Sequence, residues 1–518
     1  MGNRHAAALV LLMTAVLLLP AAAAARKPPK GGGGGTGGGF STTPTYVKNY
    51  ANVVNGVQFD LFPGDVQATP DGGSITLATT FAPSPSGVGT GPGVSWLQKR
   101  DAVGAPQWQE EVGCLSTPPG AYSDNLSVQL TSDGGYALAG GTIGCGSGSD
   151  CPALSGIACG LIELVGATGQ LEWARVYDVG ANGTEFDSIA PTSDGGFVAA
   201  GSATDASHDL GGLVVKLDGA GNVQWQRLLG PTGSNQVYLH GIRQTSDGGY
   251  IAVGQLHDGS TTGTGAPLES ALAVKLDAGG DVSWLHTYNS VDSSGGVTAT
   301  THALSIVQTA DGGYAIGGNW GTPASPSPSG ALLLRLTPTG SIRSQTAYSG
   351  GLYCLDTETC TSIDGVVNSL HQTADGGFIL AGDADLIQAG QPGGVPWLAK
   401  VDGTGALVWQ EQDYQATTNG GALSQDFASS ASTAVGPLAV GPTENYGNGH
   451  EELLAVQTDG NGAVGTCSQV HPGSPLAAID PGLVELTPVV TGTATPVSES
   501  PSPAQTLATT PTATAAQC

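Results

Sequence analysis

One short phrase occurs six times along the chain and constrains its fold more than any other feature of the sequence. Each copy reads Thr, then one residue, then Asp-Gly-Gly, with spacings of 62, 61, 53, 64 and 64 residues between copies; its aspartates are Asp71, Asp133, Asp194, Asp247, Asp311 and Asp375. A second phrase follows each copy, as at 213–225, and a degenerate seventh unit covers 437–466. Repeats of this length indicate stacked or radial units.

Each unit divides into four short strands, which we name A to D in chain order. Strand A precedes the repeated aspartate, strand B follows its two glycines, strand C is a run such as 213–217, and strand D carries a tryptophan in most units. Short apolar runs bounded by Gly and Asp are typical of strands. Four-stranded units repeated radially form a propeller. The sequence therefore predicts an all-β fold, a seven-bladed β-propeller of four-stranded antiparallel blades.

The ends of the chain differ from the repeats. Residues 1–25 have the layout of a signal peptide, residues 26–45 form a flexible Gly-rich linker, the propeller covers 46–468, and 469–518 is a Thr/Pro/Ser-rich tail that we expect to be an extended stalk. No other segment is long and apolar enough to cross a membrane. We therefore expect export, to the periplasm, the cell surface or the medium.

The segment Tyr46–Tyr50 is a candidate for closing the ring. It lies before the first A strand and resembles a D strand such as 284–288. We expect it to supply the outer strand that blade seven lacks, which would join the two ends of the repeat region.

The repeats resemble those of secreted bacterial and archaeal propeller proteins with Asp-Gly-Gly-Tyr repeats. The resemblance rests on QTSDGGYIAVG at 244–254 together with VVKLDGAGNVQWQ at 214–226, and it covers about residues 46–468. In strand pattern this family is similar to the pyrroloquinoline-quinone propellers. That similarity implies adjacent cysteines against the cofactor, and no Cys-Cys pair occurs here. The resemblance implies a fold and a compartment but no reaction, and the cofactor is left unassigned.

Charge and cysteines restrict the partners. With 15 Lys and Arg against 42 Asp and Glu, the net charge of −27 excludes nucleic acid, because that affinity needs cations. Eight cysteines in an exported chain favour disulfides over a metal site. The simplest pairing is Cys145–Cys151, Cys114–Cys159 and Cys354–Cys360, but the first four cysteines allow three connectivities. Cys467 either pairs with Cys518, or Cys518 pairs between molecules.

One face of the disc is the natural place for function. The A–B and C–D turns are short and uniform, whereas the B–C and D–A loops on the other face vary widely in length and hold every cysteine before position 467. We name this second face the loop face, because variable loops on a rigid scaffold commonly carry recognition.

Polar residues just ahead of strand A should surround the mouth of the channel on the loop face. The candidate binding residues are Asp65, Asp124, Asp187, His240, His302 and Asn368. Carboxylates and imidazoles at one pore could bind a ligand or perform acid–base chemistry; the simpler interpretation is a water-filled polar channel. We interpret the repeated aspartates as turn residues and the tryptophans as packing between blades, and we assign neither catalytic residues nor metal ligands.

The sequence favours a secreted binding or structural module that engages a glycan or a protein on a disulfide-stapled loop face. The alternative is an extracellular enzyme, either a polymer hydrolase or lyase or a metal-dependent oxidoreductase, with its site at the channel mouth. A third possibility is self-assembly into a surface layer or fibre.

Overall fold

A computed structural model of the chain describes most of the repeat region and short pieces of the tail. The described residues are 45–54, 57–81, 93–113, 122–143, 158–178, 183–204, 210–231, 236–261, 267–291, 293, 296–321, 329–349, 351–354, 360–363, 365–388, 391–412, 427–443, 452–464, 471–472, 477–479, 484–486, 490–493, 498–501, 505–508 and 513–516. The predicted signal peptide and residues 26–44 of the predicted Gly-rich linker lie outside them.

Thirty-eight strands make up the described part of the chain. Two strands come before the first blade: β1 Tyr46–Tyr50 and β2 Asn52–Val54. The strands of blades 1 to 3 are β3 Val57–Ala68, β4 Ser74–Phe81, β5 Gly93–Arg100, β6 Pro106–Gly113, β7 Tyr122–Leu130, β8 Tyr136–Ile143, β9 Cys159–Val165, β10 Leu171–Asp178, β11 Thr184–Pro191, β12 Phe197–Thr204, β13 Leu210–Leu217 and β14 Val223–Pro231.

Blades 4 to 7 and the tail follow in the same order. Blades 4 and 5 consist of β15 Gln236–Gln244, β16 Tyr250–Thr261, β17 Pro267–Leu276, β18 Val282–Asn289, β19 Thr300–Gln308, β20 Tyr314–Gly321, β21 Ser329–Leu336 and β22 Ile342–Ser349. A hairpin, blade 6 and blade 7 consist of β23 Gly351–Cys354, β24 Cys360–Ile363, β25 Gly365–Gln372, β26 Phe378–Gln388, β27 Gln391–Val401, β28 Leu407–Gln412, β29 Ser429–Ser432, β30 Pro437–Thr443 and β31 Glu452–Gln457. The tail strands are β32 His471–Pro472, β33 Ala477–Ile479, β34 Val484–Leu486, β35 Val490–Thr493, β36 Ser498–Pro501, β37 Gln505–Ala508 and β38 Ala513–Ala516.

The predicted architecture is confirmed: seven blades of four antiparallel strands form a β-propeller. The middle strands B and C are buried almost throughout, as in β12 and β13, because each blade packs on a neighbour through both of its faces. Continuous apolar runs are what strands covered on both faces require.

The prediction for ring closure is also confirmed. β1 pairs antiparallel with β31, with Tyr46 opposite Gln457 and Tyr50 opposite Leu453, so the N-terminal strand completes blade 7. Tyr50 then donates a 2.6 Å hydrogen bond to the carbonyl of Gly104 in blade 1. The seam between the first and last blades is thus closed by backbone pairing and a side-chain contact.

The repeated aspartates cap the A–B turns, as the sequence predicts. In blade 4, Asp247 Oδ1 accepts hydrogen bonds from Thr245 Oγ1 and from the Gly249 N–H, and Gly248 has a φ of 82°. Lys275 of strand C lies 3.0 Å from the same carboxylate. Asp247 therefore stabilises the A–B turn and also links it to strand C of the same blade.

The tryptophans pack between blades, also as predicted. A Cβ on Gly280, in the C–D turn of blade 4, would lie 2.7 Å from the ring of Trp225 in blade 3. Gly169, Gly221, Gly340 and Gly462 approach the tryptophan of the preceding blade in the same way. The recurring glycine of this turn provides both the positive φ and the space for the indole ring.

The tail differs from the expected extended stalk. Each of its seven strands pairs with the outer strand of a different blade, in the order blade 6, 5, 4, 3, 2, 1 and 7. The last of them, β38, pairs with β1, the strand that closes the ring. The physical reason is that outer strands have unpaired backbone groups at one edge, and an uncharged extended segment can pair with them.

Candidate binding site in the central channel

Six of the seven A strands contain a β-bulge at the same register. One residue stands between two paired positions in each, seven residues before the repeated aspartate: Gly64, Leu126, Asp187, His240, Leu304 and Asn368. A bulge bends its strand and changes the direction of a side chain. Here the bulges lie on the innermost strands, so they bring these residues to the propeller axis.

The residue after each bulge, except Gly241, accepts a side-chain hydrogen bond from the next blade, so these positions form a ring that is open at Gly241. This ring position is occupied by Asp65, Ser127, Ser188, Gly241, Ser305 and Ser369, with Ser429 in blade 7. Asp65 Oδ2 accepts from the Val128 N–H of blade 2 at 2.9 Å, and its Oδ1 accepts from Ser429 of blade 7 at 2.7 Å. Ser188 likewise accepts from the Ile242 N–H of blade 4. The ring ties the inner strands to one another.

A cavity of about 120 Å³ lies on the axis, and all seven blades contribute to its wall. Its lining contains the ring position, the bulged residues and Arg243. A space of this size accommodates several water molecules or a small polar group. The wall presents carboxylate, imidazole, guanidinium, amide and hydroxyl groups, so it offers both hydrogen-bond donors and acceptors.

Arg243 is the cation of the channel. Its Nη1 donates to the carbonyl of Ile242 at 2.7 Å and to Ser188 Oγ at 3.5 Å. Burial raises the pKa of Asp65, although hydrogen bonds from Ser429 and Val128 and the charge of Arg243 oppose that rise. Burial and the charge of Arg243 together lower the pKa of His371, against the effect of its bond to the Ser430 carbonyl. The Arg243 guanidinium therefore affects the pKa of both the Asp65 carboxyl and the His371 imidazole.

A line of hydrogen bonds runs from the cavity across blades 3 to 5. His240 Nδ1 donates to Asp187 Oδ2 at 2.7 Å, and its Nε2 lies 3.4 Å from Gln255 Oε1. Gln255 Nε2 lies 3.5 Å from Glu269 Oε1, and Glu269 Oε2 bonds to His302 Nε2. Burial alone would lower the pKa of His240, but the hydrogen bond and charge of Asp187 outweigh it and raise the pKa. The Asp187 carboxylate thus favours the protonated form of His240.

The structure brings together four of the six predicted residues. Asp65, Asp187, His240 and Asn368 line the cavity. His302 sits two residues before the bulge of β19, outside the cavity wall, and pairs with Glu269. Asp124 occupies the same register in β7, opposite Gly141, and its side chain lies outside the described part.

Sequence reasoning missed the ring serines, Arg243, Gln255 and Glu269. The ring position has a signal that counting would have found, since it always lies six residues before the repeated aspartate. Arg243 lies four residues before Asp247, on the same strand. Glu269 has no such signal, because its contact with His302 joins strand C of one blade to strand A of the next.

The disulfide pairings stay predictions. Cys354 and Cys360 stand directly opposite each other in the β23–β24 ladder, and opposed residues of an antiparallel pair have the Cα separation that a disulfide requires. Cys159 is fully buried. Its predicted partner Cys114 lies outside the described residues, as do Cys145, Cys151, Cys467 and Cys518.

Comparison with known proteins finds only distant similarity to solved structures. No protein-family model matches the chain, and no curated protein matches it. Two solved structures are similar to it. One is exotype rhamnogalacturonan lyase YesX, with 13% identity and a TM-score of 0.31 over 80% of this chain and 76% of that one. The other is rhamnogalacturonan lyase YesW, with 10% identity and a TM-score of 0.18 over 79% of this chain and 91% of that one. Similarity at this level carries no argument about ligand or activity.

The described residues contain neither a metal-binding cluster nor a membrane-spanning helix. No group of three or more His, Cys, Asp or Glu side chains there is arranged to hold a metal ion. No helix in the described ranges is long and apolar enough to cross a membrane.

Proposed function

We propose that the chain is an exported binding protein that takes a hydroxyl-rich ligand, the end of a glycan, into the channel from the loop face. The observation that carries this proposal is the polar cavity on the axis, where Asp65, Asp187, Arg243 and Asn368 come from four different blades. Sugar hydroxyls both donate and accept hydrogen bonds, so a wall with both kinds of group suits them. Export rests on the N-terminal pattern of residues 1–25.

The next register toward the loop face supports the same ligand class. Nine residues before the repeated aspartates lie Phe62, Tyr238 and His302, among others. Phe62 is 42% exposed, and Tyr238 is partly exposed with its hydroxyl bonded to Gln236. Aromatic rings with an apolar face and polar groups beside them are typical of sites for small polar ligands. We propose that the cystine-stapled loops extend this surface.

Binding of neutral and acidic oligosaccharides, measured on an array and then by calorimetry, tests the proposal. Asn368→Ala and Asp187→Asn should each weaken binding about tenfold or more, because a lost hydrogen bond to a charged or buried group costs about 1.5–3 kcal/mol. Asp281→Asn is the matched control, since Asp281 pairs with Arg227 on the outer turn and is 78% exposed. Equal affinities for all three variants, each with an unchanged melting temperature, would contradict a ligand in the channel.

The Asp187–His240 pair favours an acid–base enzyme as the second candidate. A histidine whose pKa is raised by a carboxylate can protonate a leaving group at neutral pH. The ligand of such an enzyme would be a polymer that it hydrolyses or eliminates. Turnover of an array ligand that His240→Gln abolishes while binding persists would establish catalysis; binding without turnover in the intact protein would favour the binding protein.

A further inference from the structure

The outer rim of the propeller carries a second interaction surface, separate from the channel. The seven tail strands add to the outer strands of all seven blades through backbone pairing. In blade 3, Leu228 to Pro231 pair with Thr493 to Val490, and in blade 1, Glu110 to Gly113 pair with Ala508 to Gln505. Adding a strand to a sheet edge uses main-chain hydrogen bonds for affinity. The outer strands of the rim therefore bind an extended backbone and depend less on the sequence of the added strand.

The tail has a sequence period that fits the blades. Of the eight prolines in residues 469–518, six lie one in each gap between consecutive tail strands, at 475, 481, 488, 496, 503 and 511, and the other two, Pro472 and Pro501, are the last residues of β32 and β36. Proline interrupts a ladder because it has no N–H to donate. A step of seven or eight extended residues reaches about 25 Å. The tail thus alternates one pairing segment with one spacer for every blade it passes.

We propose that the rim is a strand-addition surface for extended, nearly uncharged peptides of this type, and that the tail of a second copy occupies it when the resident tail is released. A second copy's tail makes the same backbone contacts as the resident tail. Exchange of tails between copies therefore loses no backbone hydrogen bonds. The tail carries only three charges in residues 469–518, Asp480, Glu485 and Glu499, so repulsion from an acidic propeller is small.

The advantage of the resident tail is one of effective concentration. Tethering several short segments to one body increases their apparent affinity by about 10²–10⁴ over the free peptide. A tail in solution therefore binds poorly to the intact chain and well to a chain whose own tail cannot pair. This difference makes the proposal measurable on the full chain.

The probe is a synthetic peptide of residues 471–516, and the acceptor is the full chain with four added prolines: Thr491→Pro, Gly492→Pro, Thr506→Pro and Leu507→Pro. These changes lie within β35 and β37. Successive N–H groups of a strand point in opposite directions, so two adjacent prolines remove a donor to the blade whichever residue faces it. The matched control carries four prolines between tail strands: Ala494→Pro, Thr495→Pro, Thr509→Pro and Thr510→Pro.

The peptide should bind the strand-proline chain about 10²-fold more tightly than it binds the control or the intact chain. A peptide that carries the four strand prolines itself should not bind. Equal binding to all three chains, or no binding to the strand-proline chain, would overturn the proposal. If that chain fails to fold, Thr506→Pro with Leu507→Pro opens blade 1 alone and decides in the same way. Mixing ¹⁴N- and ¹⁵N-labelled intact chains at high concentration should give mixed dimers by native mass spectrometry, and their absence would also count against tail exchange.

Discussion

Replacing Glu163 by glutamine should make the stability of the propeller less dependent on pH. Glu163 lies in strand C of blade 2 and is fully buried. Its Oε2 accepts a 2.7 Å hydrogen bond from Asn125 Nδ2, while within the described residues neither Glu163 Oε1 nor Asn125 Oδ1 has a partner. Burial raises the pKa of Glu163 from 4.5 to about 7, against the opposing effect of the Asn125 hydrogen bond.

The size of the effect follows from proton linkage. Between pH 4.5 and about 7 the folded chain keeps a proton on Glu163 that the unfolded chain has lost, so the free energy of unfolding falls as the pH rises through this window. One pH unit of difference is worth about 1.36 kcal/mol, and the interval gives a loss of about 3 kcal/mol. The contribution is complete below pH 4.5 and lost above about 7.

Glutamine removes the titration and keeps the shape of the side chain. Its amide can donate to Asn125 Oδ1 while its carbonyl accepts from Asn125 Nδ2, so both acceptors in this contact find partners. We therefore expect Glu163→Gln to be more stable than the wild type at pH 8, with a difference that disappears near pH 4.5.

Denaturant unfolding at half-unit steps from pH 4.5 to 8.5 measures this directly. Glu172→Gln is the control, because Glu172 is an exposed carboxylate of the same blade and should give a curve parallel to the wild type. A gap between Glu163→Gln and the wild type that stays constant over the whole range would refute the reasoning, since a constant gap reports packing and not a proton.

Three further substitutions test the contacts within and between blades. Gly280→Ala and Gly248→Ala both place a side chain at a φ near +82°, which costs about 1–2 kcal/mol. Gly280→Ala should lower the melting temperature more than Gly248→Ala does. The reason is that a Cβ on residue 280 would meet Trp225, whereas a Cβ on residue 248 would have no atom within 4 Å. Equal losses would deny the inter-blade contact. Lys216→Met should raise the pKa of Asp194, which Lys216 and Thr192 hold at about 2 against the effect of burial. Carboxyl NMR measures that pKa, and the stability supplied by Asp194 should be lost as the pH falls from 3.8 through about 2 in the wild type, with a smaller loss in the variant, which keeps the hydrogen bonds from Thr192 and Gly196.

The blade count, the strand order and the turns could be predicted because their causes are local. Thr-x-Asp-Gly-Gly sets a tight turn through contacts within five residues, as Thr245, Asp247 and Gly249 show. Apolar runs on either side then fix the strands. Ring closure could be predicted because Tyr46–Tyr50 has the pattern of a D strand, and a ring leaves only one place for such a strand.

The channel residues could be predicted only in part because register matters more than residue type. The six candidates come from three registers: Asp65 lies six residues before its repeated aspartate, Asp187 and His240 seven, and His302 nine. A bulge in strand A decides which of these face the axis, and a bulge has no residue signature common to Gly64, Leu126 and Asp187. The register can be counted from the repeat, but the bulge is visible only in the structure.

Glu163 shows a different limit. Strand C of blade 3 has Val215 at the same ladder position, opposite Ala199, and Glu163 stands opposite Leu138. The sequence shows the departure from the repeat, but its partner Asn125 belongs to strand A of the same blade, 38 residues earlier, and both side chains come together only when the blade folds. Pairs of this kind arise from tertiary packing, which no local pattern encodes.

The tail shows how composition and periodicity can point in different directions. Few charges and many Thr, Pro and Ser residues are typical of an extended stalk. A stalk sets no requirement on the positions of its prolines. A stalk gives no reason for a proline in every gap between consecutive tail strands, as at 475, 481, 488, 496, 503 and 511. A ring of open sheet edges does give one, because each pairing segment must end before the chain crosses to the next blade, and proline ends it. The propeller predicted from the repeats has such edges, and each described tail strand pairs with one of them.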